Sequence, residues 1–256
     1  MTTVFSKFLL TLLWVGCTNK QSENEDSGQS GYQGAPGPNG GNPDDAASDD
    51  VETQVLFDVT GVPYDITETP DGVLYVSIAE NGIVEWDPEV NWPETLTERA
   101  GSIFGIHWYD GDLYYTTSVH RQEGSLSKLN GNEGEVLATA AGDVIFREPT
   151  DLTRTSDGAW VLTDKTLQKL LVVRETGTTL YEPGVTEPSS ITSDSTHLYI
   201  GGSNGVSRIA WPDGTAEKID ERPVNGLHIF QDELLGTNTE WGVFRVGEST
   251  RIGFDD

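Results

Sequence analysis

Polar and ionisable residues recur at two points of a sequence phrase that this chain repeats five times. One point is the start of a short apolar strand, and the other is the polar loop after a Leu/Tyr/Trp-rich strand. Carboxylates, amides and imidazoles gathered in this way can bind a divalent cation, act as general bases or recognise a polar ligand. The candidates for such a site are Asp65, Glu80, Asn81, His107, His120, Asp151, Asp164, Asn204, Asn238, Glu240 and Trp241.

The repeat itself predicts how these residues come together. Each unit contains a short strand, a turn that carries an aspartate, a second strand, a polar loop and a third strand. The turn aspartates are Asp71, Asp110, Asp157, Asp194 and Asp232, at spacings of 39, 47, 37 and 38 residues. A repeat of about 40–45 residues with four short strands is typical of a β-propeller. We therefore predict an all-β fold, a β-propeller with five blades of four antiparallel strands. Six blades are the less favoured alternative, because the sequence shows no sixth unit.

The outermost strand of each blade has the weakest pattern. It is predicted at residues 96–99, 135–138, 178–181 and 216–219. Two segments compete for this place in the fifth blade, 54–59 and 250–254. If residues 54–59 fill it, the ring closes by pairing the two ends of the chain, which leaves no exposed sheet edge.

In the repeat, the loop before each first strand and the loop between the second and third strands lie on one face of the ring. That face would carry the candidate residues listed above. The positions Asp65 and Asp151 are equivalent in two blades, and Ser190 and Gly226 occupy the same place in two others. A structural interpretation is also open: such aspartates can satisfy backbone amides between blades, since buried donors are rarely unpaired. His107 has a similar alternative as a core or channel-wall histidine.

The N-terminal residues 1–17 have the features of an export signal. The apolar run at 8–16 is nine residues long, whereas about 20 are needed to span a bilayer. Val15-Gly16-Cys17 resembles the lipobox of bacterial lipoproteins, which implies that Cys17 is lipidated and becomes the mature N-terminus. Thr18 follows in place of the usual inner-membrane retention Asp, which by the same resemblance implies the outer membrane, on its periplasmic or surface side. The alternative is a signal cut elsewhere, with an incidental cysteine.

Residues 18–52 form an acidic segment rich in Gly, Ser, Asn and Asp, and we predict a disordered tether. The domain 53–256 has 34 acidic against 13 basic residues, hence a net charge of −21. This charge disfavours nucleic acid and direct adhesion to anionic membrane, so membrane contact is expected only through the lipid. It suits a soluble, monomeric domain, and it could also attract Ca²⁺ or a basic partner. A single cysteine excludes an intramolecular disulfide and zinc sites of the CxxC type.

The phrase Pro63-Tyr64-Asp65-Ile66, followed by Asp71-Gly72-Val73-Leu74-Tyr75-Val76, resembles the blades of the NHL, SMP-30/gluconolactonase and virginiamycin B lyase-like propellers. The resemblance covers about residues 64–246. In SMP-30-like lactonases a Glu, an Asn and an Asp from separate blades bind a metal, and the Asp serves as base. The resemblance therefore implies Ca²⁺ as a candidate ion, with ligands drawn from Asp65, Glu80, Asp151, Asp164, Asn204 and Asn238. A lyase would instead pair histidine with glutamate, from His107, His120, His228 and Glu240.

The sequence contains no G-x-S-x-G, P-loop or HExxH motif. The prediction that follows is a lipid-anchored, exported propeller that acts as a binding module of the cell envelope, recognising a protein, peptide or glycan. The alternative is a Ca²⁺-dependent lactonase- or lyase-like enzyme. A third hypothesis is a structural part of an envelope assembly without a small ligand.

Overall fold

The computed structural model describes residues 62–79, 82–90, 92–97, 102–240, 242–248 and 251–252. The predicted signal, tether and segment 54–59 lie outside these residues, as do four of the singled-out residues, Cys17, Glu80, Asn81 and Trp241. Within the described part, no helix is long and apolar enough to cross a membrane.

Five four-stranded antiparallel sheets form a five-bladed β-propeller, which confirms the predicted fold. In each blade the strands pair in chain order, from an innermost first strand to an outermost fourth. Blade 1 contains β1 (Pro63–Glu68), β2 (Leu74–Ile78), β3 (Gly82–Asp87) and β4 (Trp92–Thr97), and blade 2 contains β5 (Ser102–Tyr109), β6 (Asp112–Val119), β7 (Glu123–Asn130) and β8 (Glu133–Ala138). A short hairpin, β9 (Ala140–Ala141) and β10 (Val144–Ile145), follows blade 2.

The other three blades repeat the arrangement. Blade 3 contains β11 (Pro149–Arg154), β12 (Trp160–Asp164), β13 (Lys169–Arg174) and β14 (Gly177–Tyr181). Blade 4 contains β15 (Ser190–Ser193), β16 (His197–Gly202), β17 (Gly205–Ala210) and β18 (Ala216–Asp220). Blade 5 contains β19 (Gly226–Phe230), β20 (Glu233–Asn238), β21 (Gly242–Arg245) and β22 (Arg251–Ile252). The fourth strand of blade 5 is thus taken from the C-terminal of the two competing segments.

The predicted outermost strands of blades 2, 3 and 4 lie within the observed ones, and only that of blade 1 is clearly displaced. In blade 1 this strand begins at Trp92, four residues before the predicted start, and Pro93 lies within it. Proline is tolerated there because an edge strand has no outer partner for the missing N–H. The outer strands are also largely exposed, so their sequences carry little apolar alternation.

The hydrophobic core lies between the blades. One cluster joins blades 3 and 4 through Val161, Leu170, Leu198 and Ile200, each fully buried. Similar clusters join blades 2 and 3, blades 1 and 2, and blades 4 and 5. The sheets of blades 2, 3 and 4 therefore bury both faces, which explains the near-continuous apolar runs in their middle strands.

Blade 1 departs from this pattern on one side. Ile66, in β1, is 43% exposed, whereas its equivalents Ile106, Leu152 and Ile191 are 2–3% exposed. The face of β1 that points away from blade 2 therefore has less cover than the matching face in the three blades that follow.

The propeller has two ends, a loop face and a turn face. The loop face carries the loops before each innermost strand and the loops between second and third strands. The turn face carries the hairpins between first and second strands, which contain Asp71, Asp110, Asp157, Asp194 and Asp232.

Candidate functional site

The two equivalent aspartates of the sequence phrase lie on innermost strands, near the loop face. In β1 a bulge between Pro63 and Asp65 interrupts the pairing with β2. The Asp65 carboxylate then accepts hydrogen bonds from the backbone N–H of Ile66 and of Ile106, each at 2.8 Å. Because Ile106 belongs to blade 2, this carboxylate joins two adjacent innermost strands.

Asp151 repeats the arrangement between blades 3 and 4. The same bulge occurs between Pro149 and Asp151. The Asp151 carboxylate accepts from the N–H of Leu152 and of Ile191, each at 2.7 Å. Both aspartates therefore have the backbone-bonding role of the structural interpretation, whatever further role their remaining lone pairs have.

The inner position is the name used here for the place that Asp65 and Asp151 share. Gly105, Ser190 and Gly226 occupy it in the other blades. At Gly105 an added Cβ would lie only 2.5 Å from the Cα of Asp151, so the backbones of blades 2 and 3 approach too closely for any side chain. At the inner position an aspartate carboxylate therefore connects blades 1 and 2 and blades 3 and 4. A glycine at the same place allows blades 2 and 3 to approach closely.

The two aspartates also interact electrostatically. Burial raises the pKa of Asp65 from its ordinary 3.8 to about 6, against the effect of its two backbone hydrogen bonds. Burial raises the pKa of Asp151 well above its ordinary value, and the negative charge of Asp65 raises it further. Two carboxyls that repel each other in this way hold a proton more readily than isolated ones.

Three other candidates stabilise loops on the loop face. Asp164 is fully buried, and its carboxylate accepts from the N–H groups of Arg147 (2.7 Å), Glu148 (3.2 Å) and Leu167 (2.9 Å). It therefore holds the loop before β11 against the loop after β12. A buried carboxylate with three amide donors is a loop anchor of fixed geometry.

The two asparagines have similar positions in blades 4 and 5. The Asn204 side-chain oxygen accepts from the Thr186 N–H at 2.7 Å. Asn238 donates to the Pro223 carbonyl at 2.7 Å and accepts from the Glu240 N–H at 3.0 Å. Asp164, Asn204 and Asn238 thus connect the same two loops in three successive blades.

These contacts bear on the calcium hypothesis. Among the described residues, no group of three or more His, Cys, Asp or Glu side chains is placed to hold a metal ion. The carboxylates of Asp65, Asp151 and Asp164 accept backbone N–H groups instead. The described carboxylates of the implied ligand set are thus not gathered into one Ca²⁺ site, and Glu80 lies outside the described residues.

His107 and His120 are not brought together. His107 lies near the turn-face end of β5, where its ring meets the edge of Trp160 at 5.6 Å. Burial and the charge of Arg154 lower the pKa of His107 to about 4. His120 is exposed on the loop face of the same blade, and Glu240 is exposed in blade 5. The histidines of blade 2 therefore stand at opposite ends of it.

The turn face holds two features that the sequence interpretation missed. A cleft of about 450 Å³ between blades 1 and 2 is lined by the stacked rings of Tyr75 and Trp108, and by Glu85, Asp112 and Lys128. Near the seam of blades 2 and 3, Arg154 packs against Tyr109 and Trp160. Neither group follows from sequence spacing, because each joins side chains from two blades whose relative rotation the repeat does not specify.

No family model matches the chain, and no curated protein matches it. Solved structures do resemble it. A gluconolactonase from Xanthomonas campestris is 17% identical with a TM-score of 0.60, and the match covers 73% of each chain. Virginiamycin B lyase from Staphylococcus aureus is 15% identical with a TM-score of 0.51, over 73% of this chain and 70% of that one. A nidogen/laminin complex contains a chain that is 17% identical with a TM-score of 0.53, over 65% and 70%. At these identities the similarity shows the β-propeller fold, which lyases, lactonases and binding proteins share.

Proposed function

We propose that this protein is a binding module of the cell envelope, exported and anchored through a lipid on Cys17, that recognises a protein or peptide on the loop face of blades 2–4. The observation that carries the proposal is a network of side-chain bonds that fixes the loops of these blades to one another. The name recognition rim is used below for residues 120–123, 147–148, 164–168, 186–187 and 203–204.

Bonds within the recognition rim cross from blade to blade. Arg121 in blade 2 forms an ion pair with Glu148 at 3.1 Å, and Glu148 also accepts from Thr166 at 2.8 Å. The Arg147 guanidinium donates to the Gln122 carbonyl at 2.9 Å. Gln168 accepts from the Glu187 N–H at 2.7 Å, which joins blade 3 to the loop before blade 4. Loops held in this way lose little conformational entropy on binding.

Backbone strain accompanies these bonds. His120, Arg121, Gln168 and Glu187 all have positive φ, between 46° and 58°. Such values are uncommon for residues other than glycine and persist where the surroundings hold them. Four of them in one rim support a surface whose shape is maintained for recognition.

The chemistry of the rim favours a protein or peptide over a glycan. Its exposed side chains include His120, Arg121, Thr166, Glu187 and Asn204. They mix both signs of charge with amides and hydroxyls, and none of the exposed residues in the named ranges is Phe, Tyr or Trp, whereas sugar recognition commonly uses the faces of these rings for stacking. The alternation of charges would instead select a partner by electrostatic complementarity.

Photo-crosslinking in intact cells tests the recognition rim. The full-length chain would carry a photoreactive amino acid at Glu123, on the rim, or at Glu133, on the turn face of the same blade. Both positions are exposed. We expect a discrete protein adduct from position 123 and none from position 133. Adducts of equal yield from both positions, or from neither, would contradict the proposal.

Metabolic labelling with an alkyne fatty acid tests the anchor separately. Wild-type protein should incorporate the label, and Cys17→Ser should not, because the chain has no other cysteine. Label in the Cys17→Ser variant would show that the lipid, if any, is attached elsewhere.

One observation favours an enzyme as the second candidate. The pKa of Asp65 is near 6, and Asp151 lies close enough to interact with it. A carboxyl that titrates near neutrality suits general acid–base catalysis. Hydrolysis of D-glucono-1,5-lactone by wild type, lost in Asp65→Asn, would support this candidate, and melting in CaCl₂ against MgCl₂ at equal ionic strength would show whether calcium has a specific effect.

A further inference from the structure

The arginines of this protein are almost all paired, as expected in a chain with 42 acidic and 15 basic residues. Six of the seven whose side chains the structure describes donate to a carboxylate or carbonyl. These six are Arg121, Arg147, Arg174, Arg208, Arg222 and Arg245. The exception is Arg154, whose guanidinium has neither a hydrogen bond nor an ion pair within the described residues.

Arg154 is the last residue of β11 and lies on the turn face, next to the seam with blade 2. Its guanidinium carbon is 5.2 Å from the ring centre of Tyr109 and 5.0 Å from that of Trp160. Its Nε is buried without an acceptor. A Cβ added to Gly158 would lie 3.5 Å from its Nη2, and outside residues 157–159 no other heavy atom lies within 4 Å of that point, so the space beside Nη2 is open there. Aromatic faces orient the guanidinium, but they accept none of its in-plane N–H donors.

We propose that Arg154 is the anchor of a binding site for small organic carboxylates on the turn face, with Tyr109 as its wall. The two terminal Nη groups, which unlike Nε are not fully buried, match a carboxylate in two parallel hydrogen bonds and have no acceptor within the described residues. Tyr109 is 42% exposed and offers a ring beside the anion, so the ligand would carry an apolar or aromatic group next to its carboxylate. This site is separate from the recognition rim, which lies on the loop face.

The charge of the protein favours a monoanion over phosphate. The domain carries −21, which repels a dianion about twice as strongly as a singly charged carboxylate. His107 lies beside Arg154 and is uncharged at neutral pH, so it adds no second positive charge. A single guanidinium in this negative potential can bind a carboxylate monoanion, but it is poorly suited to a phosphate dianion.

Nitrogen-15 NMR of the arginine side chains tests the site in the full-length chain. Sodium benzoate is the probe, benzamide is its neutral analogue, and NaCl holds the ionic strength constant. We expect the Arg154 Nε–Hε signal to shift saturably with benzoate, and neither benzamide nor inorganic phosphate to reproduce the shift. The Arg174 signal serves as control, because Arg174 also packs over a tryptophan, Trp211, but already has Asp157 as partner.

Variants give a second measurement. Arg154→Lys retains the charge and loses the fork, so benzoate affinity should fall at least about tenfold. Arg174→Lys should bind benzoate as wild type does. A linear, unsaturated shift in the wild-type protein, or equal shifts at Arg154 and Arg174, would overturn the proposal without reference to any variant. Saturable binding of phosphate at Arg154 with no response to benzoate would also overturn it.

Discussion

Single carboxylates of this propeller act mainly on backbone amides. Asp65, Asp151 and Asp164 together accept from seven N–H groups, two, two and three respectively. A buried amide that loses its acceptor costs free energy comparable to its desolvation. These side chains therefore stabilise the fold at the same positions where the sequence suggested a ligand site.

Removal of the Asp151 carboxylate should be costly. Asp151→Ala leaves the N–H groups of Leu152 and Ile191 without this acceptor, and we expect a loss of about 1–3 kcal/mol in the free energy of unfolding. Urea denaturation at pH 5 measures it, since the penalty of burying a charged carboxylate is smaller there than at neutral pH. Asp143→Ala, an exposed aspartate in the hairpin of β9 and β10, should change stability by less than about 0.5 kcal/mol. Equal effects of the two variants would show that the bridge is not stabilising.

The raised pKa of Asp65 predicts a pH dependence of defined sign. Between pH 3.8 and about 6 the folded state holds this proton and the unfolded state has lost it. The free energy of unfolding contributed by Asp65 therefore falls as the pH rises through this interval. Asp65→Asn cannot ionise, so its stability relative to wild type should improve from pH 4 to pH 7 by on the order of 1–3 kcal/mol. Parallel stability curves for the two proteins would contradict the raised pKa.

Part of this residue-level behaviour could be predicted from sequence, and part could not. The equivalence of Asp65 and Asp151 is visible in the repeat, and so is their backbone-bonding alternative. The donors Ile106 and Ile191 belong to the next blade. The repeat therefore shows that each aspartate could accept a hydrogen bond from a backbone amide, but it does not show which amide donates. Arg154 could not be singled out, because its lack of a partner is a property of neighbouring blades.

At the scale of the element, the innermost strands determine how closely blades approach. The bulges in β1 and β11 turn an aspartate toward the next blade, and Gly105 in β5 lets β11 approach instead. The four-stranded order and the Asp-Gly turns follow from strand and turn propensities, which are local. Of the outermost strands only that of blade 1 is displaced from its prediction, since an exposed edge strand has little apolar pattern to detect.

Two equivalent glycines offer a matched test of this close approach. A Cβ at Gly105 would meet the Asp151 backbone at 2.5 Å, whereas a Cβ at Gly226 would meet only the Thr237 hydroxyl at 2.8 Å. Backbone cannot give way easily and a hydroxyl can rotate. Gly105→Ala should therefore lose about 2–4 kcal/mol in the free energy of unfolding, and Gly226→Ala less than about 1 kcal/mol. Thermal or urea unfolding of the pair decides it, and a larger loss for Gly226→Ala would refute the packing argument.

The whole molecule is dominated by its negative charge. Forty-two acidic residues against 15 basic ones give −27, and repulsion among them opposes the compact state. Raising NaCl from about 0.02 to 0.5 M shortens the Debye length and should raise the melting temperature by a few degrees. The rise should shrink at pH 4.5, where carboxylates begin to protonate. An equal rise at both pH values would point to a general salt effect instead of screening.

The uncovered side of β1 has a consequence for how the propeller opens. The isoleucine or leucine that follows the inner position is buried in blades 2, 3 and 4 and partly exposed in blade 5, and Ile66 of blade 1 is the most exposed of the five. Local unfolding should begin where it exposes the least additional apolar surface to water. In a deuterium-exchange experiment the amides of residues 63–68 should therefore take up deuterium before those of β11 and β15. Blade 1 would then be the first blade to unfold, and blades 3 and 4 would be the last.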